Sequence, residues 1–181
     1  RRDVRFVLSS GHAGLALYCV IEKYEGIDAE KIFLHHGVHP DRCNQCHIYC
    51  STGSLGQGLP IAVGMALADR SKNVYCLISD GECSEGSIWE ALRIANEQKL
   101  KNLKVYVNIN GFGAYKKINK DDSYYQFFDY SDFQEDSPRY QNIDINIKYT
   151  KVQQLPFLKG QDAHYHVMNE EEYKMAIDLL S

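Results

Sequence analysis

Val74-Tyr75-Cys76-Leu77-Ile78-Ser79-Asp80-Gly81-Glu82 is the stretch on which the fold of this chain turns. Five apolar residues run without interruption, the pattern of a parallel-sheet strand covered on both faces. Ser79 to Glu82 break the run, and from Glu85 to Leu100 apolar residues return at helical spacing through Ile88, Leu92 and Ala95. Leu103-Lys104-Val105-Tyr106-Val107 then reads as a second strand, ended by Asn108-Ile109-Asn110-Gly111. Strand, helix and strand joined by short turns imply a parallel sheet with right-handed crossovers. Ligands of such sheets sit beyond the carboxyl ends of the strands, where Asp80 and Asn110 fall.

Working outward, Arg5 to Ser9 predicts a short strand, Ser10-Gly11-His12 a turn, and Ala13 to Tyr24 a helix. Residues 37–51 are irregular, and Leu55 to Ala68, rich in Gly and Ala, is helical in period. Residues 114–142, rich in Tyr, Phe, Asp, Gln and Lys, predict an irregular surface excursion. Residues 144–150 alternate like a strand, and Glu170 to Leu180 closes the chain as a helix. The expected class is α/β: an open parallel sheet flanked by helices, in one domain over residues 1–181.

Composition narrows the function classes. The chain has 181 residues, and at 44% hydrophobic and 24% charged it has the make-up of a soluble globule with one core. A net charge of −4 with no basic run argues against sequence-independent nucleic-acid binding. No apolar stretch approaches the roughly 20 residues that span a bilayer, and no secretory signal opens the chain. A cytoplasmic protein without membrane contact is expected. The chain opens at Arg1 rather than Met, which predicts processing, trimming or a missing start.

Six cysteines are too few for a disulfide scaffold of this length. Cys43-Asn44-Gln45-Cys46-His47, with Cys50 close behind, has the spacing of a covalent haem attachment and enough ligands for a structural zinc. The reading preferred here is plain thiols in a reducing compartment, with no essential metal on Cys43, Cys46 or Cys50. Asp80-Gly81 and Asn110-Gly111 are the richer signal. Magnesium takes hard oxygen ligands shared with phosphate, and a carboxylate and an amide at adjacent strand ends supply them. Gly81 would let the backbone approach a phosphate closely. Both pairs are also ordinary turn dipeptides.

Context lifts the signal above that. Ser51-Thr52-Gly53-Ser54-Leu55-Gly56-Gln57-Gly58, followed by Ile61-Ala62-Val63-Gly64-Met65-Ala66, resembles the first cofactor segment of the transketolase family. Asp80-Gly81-Glu82-Cys83-Ser84-Glu85-Gly86 with Asn110 resembles its thiamine diphosphate motif. Ser9-Ser10-Gly11-His12 before Leu17-Tyr18, His39-Pro40, and the tail from Lys151 to Phe157 with His164 and Asn169 to Tyr173 match further segments in the same order. The resemblance covers nearly the whole chain and is to the diphosphate-binding half of the family.

The resemblance implies thiamine diphosphate and magnesium as cofactors. It implies Asp80, Asn110 and the Phe112 carbonyl as magnesium ligands, and His12 and Gly81 as diphosphate contacts. Gly53 and Leu55 would lie beside the aminopyrimidine. His39 matches a histidine that handles substrate hydroxyls, and His164 one near diphosphate and substrate. Glu85 and Glu90 match carboxylates buried at the family's subunit interface, where shifted pKa values would suit a proton relay. Each has a plainer alternative: His39 a loop histidine, His166 a rival to His164, Glu90 a solvated helix residue, Leu55 ordinary core. His35 and His36 read as solvated loop histidines.

The departures from the family are specific. Ser79 stands where the family has Gly, placing an extra hydroxyl at the site. The segment after Asn110 is far shorter than in full-length relatives, and no counterpart of an early Ser-Gly-His-Pro segment precedes Arg1. No pyrimidine-binding half follows Ser181, and in the family that half supplies the glutamate that activates the cofactor. The expectation is therefore a split transketolase-type enzyme. Its separately encoded pyrimidine-binding partner would complete a hetero-oligomer with two copies of each chain, acting on sugars or sugar phosphates. The alternatives are another thiamine diphosphate enzyme, of the 2-oxoacid decarboxylase or dehydrogenase type or the deoxyxylulose-phosphate synthase type, and a non-catalytic binding remnant.

Overall fold

The computed structural model describes residues 4–113, 146–150 and 166–180. The excursion expected over 114–142 and the candidate His164 lie outside the described residues. The chain opens with strand β1 (Val4–Leu8), a single 3-10 turn (Gly11–Ala13) and helix α1 (Gly14–Glu25). α1 buries Gly14, Tyr18 and Ile21, an i, i+4, i+7 stripe. Helix α2 (Ala29–His36) follows; its amino end is capped by Asp28, whose carboxylate accepts the Lys31 N–H at 3.1 Å. The sequence reading does not anticipate α2, because only Ala29 and Ile32 are buried in its eight residues. His35 and His36 consequently lie in a last helical turn and not in a loop.

Helix α3 (Gly58–Ala68) begins three residues later than the periodicity suggests and leads into strand β2 (Asn73–Ser79). The buried Asn102 clasps this turn, its amide donating to the carbonyls of Ala66 at 3.0 Å, Asp69 at 3.2 Å and Lys72 at 3.0 Å. A 3-10 turn (Gly81–Ser84) then delivers helix α4 (Gly86–Glu97), which buries Ile88, Ala91, Leu92 and Ala95, and strand β3 (Leu103–Asn108). Strand β4 (Asn146–Thr150) and helix α5 (Glu170–Leu180) complete the described elements.

The four strands form one parallel sheet in the order β1-β2-β3-β4, with Val7 opposite Cys76, Cys76 opposite Val105 and Val105 opposite Ile147. One face carries Val7, Val74, Cys76, Ile78, Val105 and Val107, all at most 1% exposed and in one apolar cluster with buried residues of α3 and α4. Burying such a side chain is worth about 1.5–3 kcal/mol. The opposite face carries Phe6, Tyr75, Leu77 and Tyr106 and is only partly covered among the described residues, with Phe6 38% exposed. The expectation of a β2 strand sealed on both faces is met on one. A smaller apolar cluster joins Tyr18 and Ile21 of α1 to Ala29 and Ile32 of α2 and to Ile48. No helix among the described residues is long and apolar enough to cross a membrane.

Candidate functional site

Because the strands are parallel, Ser9-Ser10, Ser79-Asp80 and Asn108 to Asn110 leave the sheet at the same end. A cleft opens there, lined by His12, Leu55, Gly81, Asn110 and Phe112, five of the residues singled out from sequence, with Ser10 and Asn108 among its other walls. Asp80 lies just beneath, 6% exposed. Its Oδ1 accepts the Gly81 N–H at 3.0 Å and its Oδ2 the Gly111 N–H at 2.7 Å, so one carboxylate ties the end of β2 to the turn after β3. Burial pushes the Asp80 carboxyl above its ordinary value, against the pull of the Gly111 and Gly81 N–H groups. Asn110 is exposed, and its Oδ1 accepts the Phe112 N–H at 2.8 Å.

The oxygen donors fit a hard cation. A carboxylate has about four lone-pair sites, and those of Asp80 are only partly used by its N–H donors. The cleft also holds an acceptor in want of a partner: Asn108 Oδ1 is buried, and no donor among the described residues reaches it. A buried acceptor of this kind calls for a bound group.

Close backbone approach shapes the mouth of the cleft. A Cβ on Gly11 would lie 2.6 Å from the Gly53 nitrogen and from the Thr52 carbonyl carbon, backbone atoms with no room to yield. Gly53 has φ +152°, a conformation L side chains rarely adopt, and a Cβ there would meet the His39 ring at 3.1 Å. Gly53 and His39 thus form a pair alongside the turn that carries His12, without lining the cleft themselves. Thr52 is anchored by its own hydroxyl, which donates to the Leu8 carbonyl at 2.7 Å. Glu85 and Glu90 are exposed on this chain, Glu85 immediately before α4 and Glu90 on it.

The residue that organises this end of the sheet was not picked out from sequence. Glu82 is wholly buried, and its Oε1 accepts the Ser9 hydroxyl at 2.6 Å and the Gly56 N–H at 2.9 Å. Its Oε2 accepts the Ser10 hydroxyl at 3.0 Å and the Ser79 N–H at 3.1 Å. One carboxylate therefore joins the end of β1, the loop before α3 and the end of β2. The signal in the sequence was the company of Ser9, Ser10 and Ser79, hydroxyl residues at three positions flanking strand ends. The Ser79 hydroxyl, unusual for the resemblance, accepts the Glu82 N–H at 3.3 Å and so belongs to the same knot.

Comparison with known proteins bears on the family and the fold. The family model described as "Transketolase, thiamine diphosphate binding domain" matches residues 1–154. The transketolases of Pongo abelii and Homo sapiens are each 43% identical over 120 residues, which is 60% of this chain and 19% of theirs. A 6-deoxy-6-sulfo-D-fructose transketolase subunit, SqwG, from a Clostridium species is 40% identical over 116 residues, 59% of this chain and 42% of that one. The crystal structure of transketolase from Campylobacter jejuni aligns with a TM-score of 0.54 at 28% identity, over 62% of this chain and 21% of that chain. The match spans about a fifth of the length of these full transketolases.

Proposed function

Because this chain belongs to the transketolase family and carries its thiamine diphosphate binding domain, we propose that it is the diphosphate- and magnesium-binding part of a transketolase-type enzyme. That enzyme moves a two-carbon ketol unit between sugars and is completed by a separately encoded pyrimidine-binding half. One observation carries the reading: the buried Asp80 carboxylate, at the end of β2, is tied to the Gly111 N–H next to Asn110, and Asn110 lines a cleft that also contains the unsatisfied Asn108 Oδ1. The relative named as a transketolase subunit supports the split arrangement.

Thiamine diphosphate, when bound, supplies an electron sink for making and breaking carbon–carbon bonds beside a carbonyl. The chain's own residues bind and orient. The Asp80 carboxylate, the Asn110 amide oxygen and the Phe112 carbonyl would hold magnesium, and His12 and Gly81 would contact the diphosphate. Gly53 and Leu55 would flank the aminopyrimidine. His39 and His164 would hold substrate hydroxyls, and Glu85 and Glu90 would meet the partner chain. The cleft measures about 70 Å³. Pockets that enclose a ligand run from about 300 Å³ upward, so the cleft suits the diphosphate end and leaves the rest of the cofactor to other surfaces.

Titration calorimetry with thiamine diphosphate, with and without magnesium, tests this. Binding should require magnesium and vanish in Asp80→Ala while circular dichroism stays native; Asn110→Ala, at an exposed position, should weaken it at least tenfold. Unchanged affinity in both variants would mean that the site is misassigned.

A further inference from the structure

The reading above leaves the cysteine loop unused, and the fold brings it to a residue that sequence spacing did not connect with it. Cys43 and Ile48 exchange backbone hydrogen bonds, each N–H to the other's carbonyl at 2.9 Å, closing a tight turn in which His47 takes a φ of +57°. Inside that turn the Cys46 N–H donates to Cys43 Sγ at 3.1 Å. The turn faces the last turn of α2, where His36 Nε2 lies 3.6 Å from Cys46 Sγ. The three ligand atoms of His36, Cys43 and Cys46 lie within 4.8 Å of one another, and each residue is half-buried. Cys50, the remaining sulfur of the sequence cluster, is instead buried in the main core with Cys76, and Cys19 is exposed on α1.

Against the expectation of plain thiols with no essential metal on Cys43 and Cys46, we propose that His36, Cys43 and Cys46 form a zinc site, two thiolates and one imidazole with the fourth position taken by water. The spacing suits tetrahedral zinc: Zn–S and Zn–N bonds of about 2.3 and 2.05 Å at the tetrahedral angle separate sulfur from nitrogen by about 3.6 Å. The observed separation, 3.6 Å, matches. Soft sulfur with imidazole selects zinc over magnesium or calcium, which take oxygen. The N–H to Cys43 Sγ supplies the outer hydrogen bond that holds a ligating thiolate in place. Uptake of Zn²⁺ releases both thiol protons to solvent, leaving a neutral Zn(Cys)₂ unit with imidazole and water bound.

The site's place in the fold gives it a structural task. It would staple the carboxyl end of α2 to the turn at Cys43–Ile48, at the rim of the smaller apolar cluster. Between these anchor points runs the segment that presents His39, and Pro40 in that segment accepts the Thr52 N–H at 3.0 Å, next to Gly53. Zinc would thereby fix the wall on which the His39–Gly53 pair rests.

The test uses the full chain purified without chelators, and its readout does not depend on thiamine diphosphate. Elemental analysis should find one zinc per chain, and cobalt substitution should give thiolate charge-transfer absorption with tetrahedral d–d bands. His36→Ala, Cys43→Ser and Cys46→Ser should each weaken zinc at least tenfold in competition with a chromophoric chelator, while Cys19→Ser leaves it unchanged. Absence of stoichiometric zinc together with a thiolate-free cobalt spectrum would overturn the proposal. So would a cobalt spectrum that stays the same in His36→Ala.

Discussion

Glu82 is a buried carboxylate held entirely by neutral donors, with one backbone N–H and one serine hydroxyl on each oxygen. The arrangement dictates what each substitution does. In Glu82→Gln one oxygen becomes an NH₂, which must face the N–H of Gly56 or that of Ser79, and neither backbone donor can reverse. A hydroxyl can rotate to accept; an amide N–H cannot. We expect Glu82→Gln to cost about 1–3 kcal/mol. Glu82→Ala should cost more, because all four donors lose their acceptor. Chemical denaturation measures both, and a neutral Gln variant would show that the carboxylate is not the keystone of the strand ends. Asp80 beside it is legible in sequence for a different reason: a carboxylate just past a buried strand stands out locally. Glu82, two positions later, looks like a turn residue until Ser9 and Ser10, more than seventy positions away, are folded onto it.

Among the elements, α5 carries its own start signal. Asn169 Oδ1 accepts the Glu172 N–H at 3.0 Å, and Glu172 Oε2 accepts the Asn169 N–H at 3.0 Å, a reciprocal capping box. His166 Nε2 adds a contact to the same oxygen at 2.9 Å. The Asn169 N–H, and after it His166, hold the Glu172 carboxyl below its ordinary value. A lowered folded-state pKa means stabilisation that is present above the unfolded carboxylate value, about 4.3, and is lost as pH falls through the lowered one. The protection of the α5 amides, taken relative to the intrinsic exchange rate at each pH, should therefore fall on acidification below about pH 4.3, and Glu172→Gln should remove that part of the pH response. An identical pH profile in the variant would show that Glu172 does not control the helix. The longer helices α1 and α4 were readable from their stripes, whereas α2 was not: its two buried positions make no period, and it is held by packing on Tyr18 and Ile48.

At the scale of the whole molecule, Glu85 and Glu90 are exposed, and any role that needs them buried calls for a further surface beyond the described residues, which the proposed partner half would supply. Light scattering should find a larger complex, two copies of each chain, when the pyrimidine-binding half is added. Ketol transfer should appear only in the mixture. Glu90→Arg, at an exposed helix position, should leave the chain's own stability within about 0.5 kcal/mol while reducing assembly at least tenfold. A monomer that transfers ketol units unaided would sink the split arrangement.

The α/β class, the parallel strands and the two strand-end turns were determined by the sequence itself, since buried parallel strands and amphipathic helices write their periods into consecutive residues. The run from Val74 to Glu82 with its echo at Leu103 to Gly111 sufficed for that, and it put Asp80 and Asn110 at the strand ends where the cleft opens. Only the tertiary structure decided which side chains complete it. The Ser9, Ser10 and Gly56 donors on Glu82 and the close approach of Gly11 to Gly53 join residues far apart in the chain, and His36 reaches Cys43 and Cys46 from the last turn of an unrecognised helix. Such contacts leave no local period. They exist because a parallel sheet gathers every strand's carboxyl end on one edge, and because α2 folds back to bring its last turn over the cysteine loop.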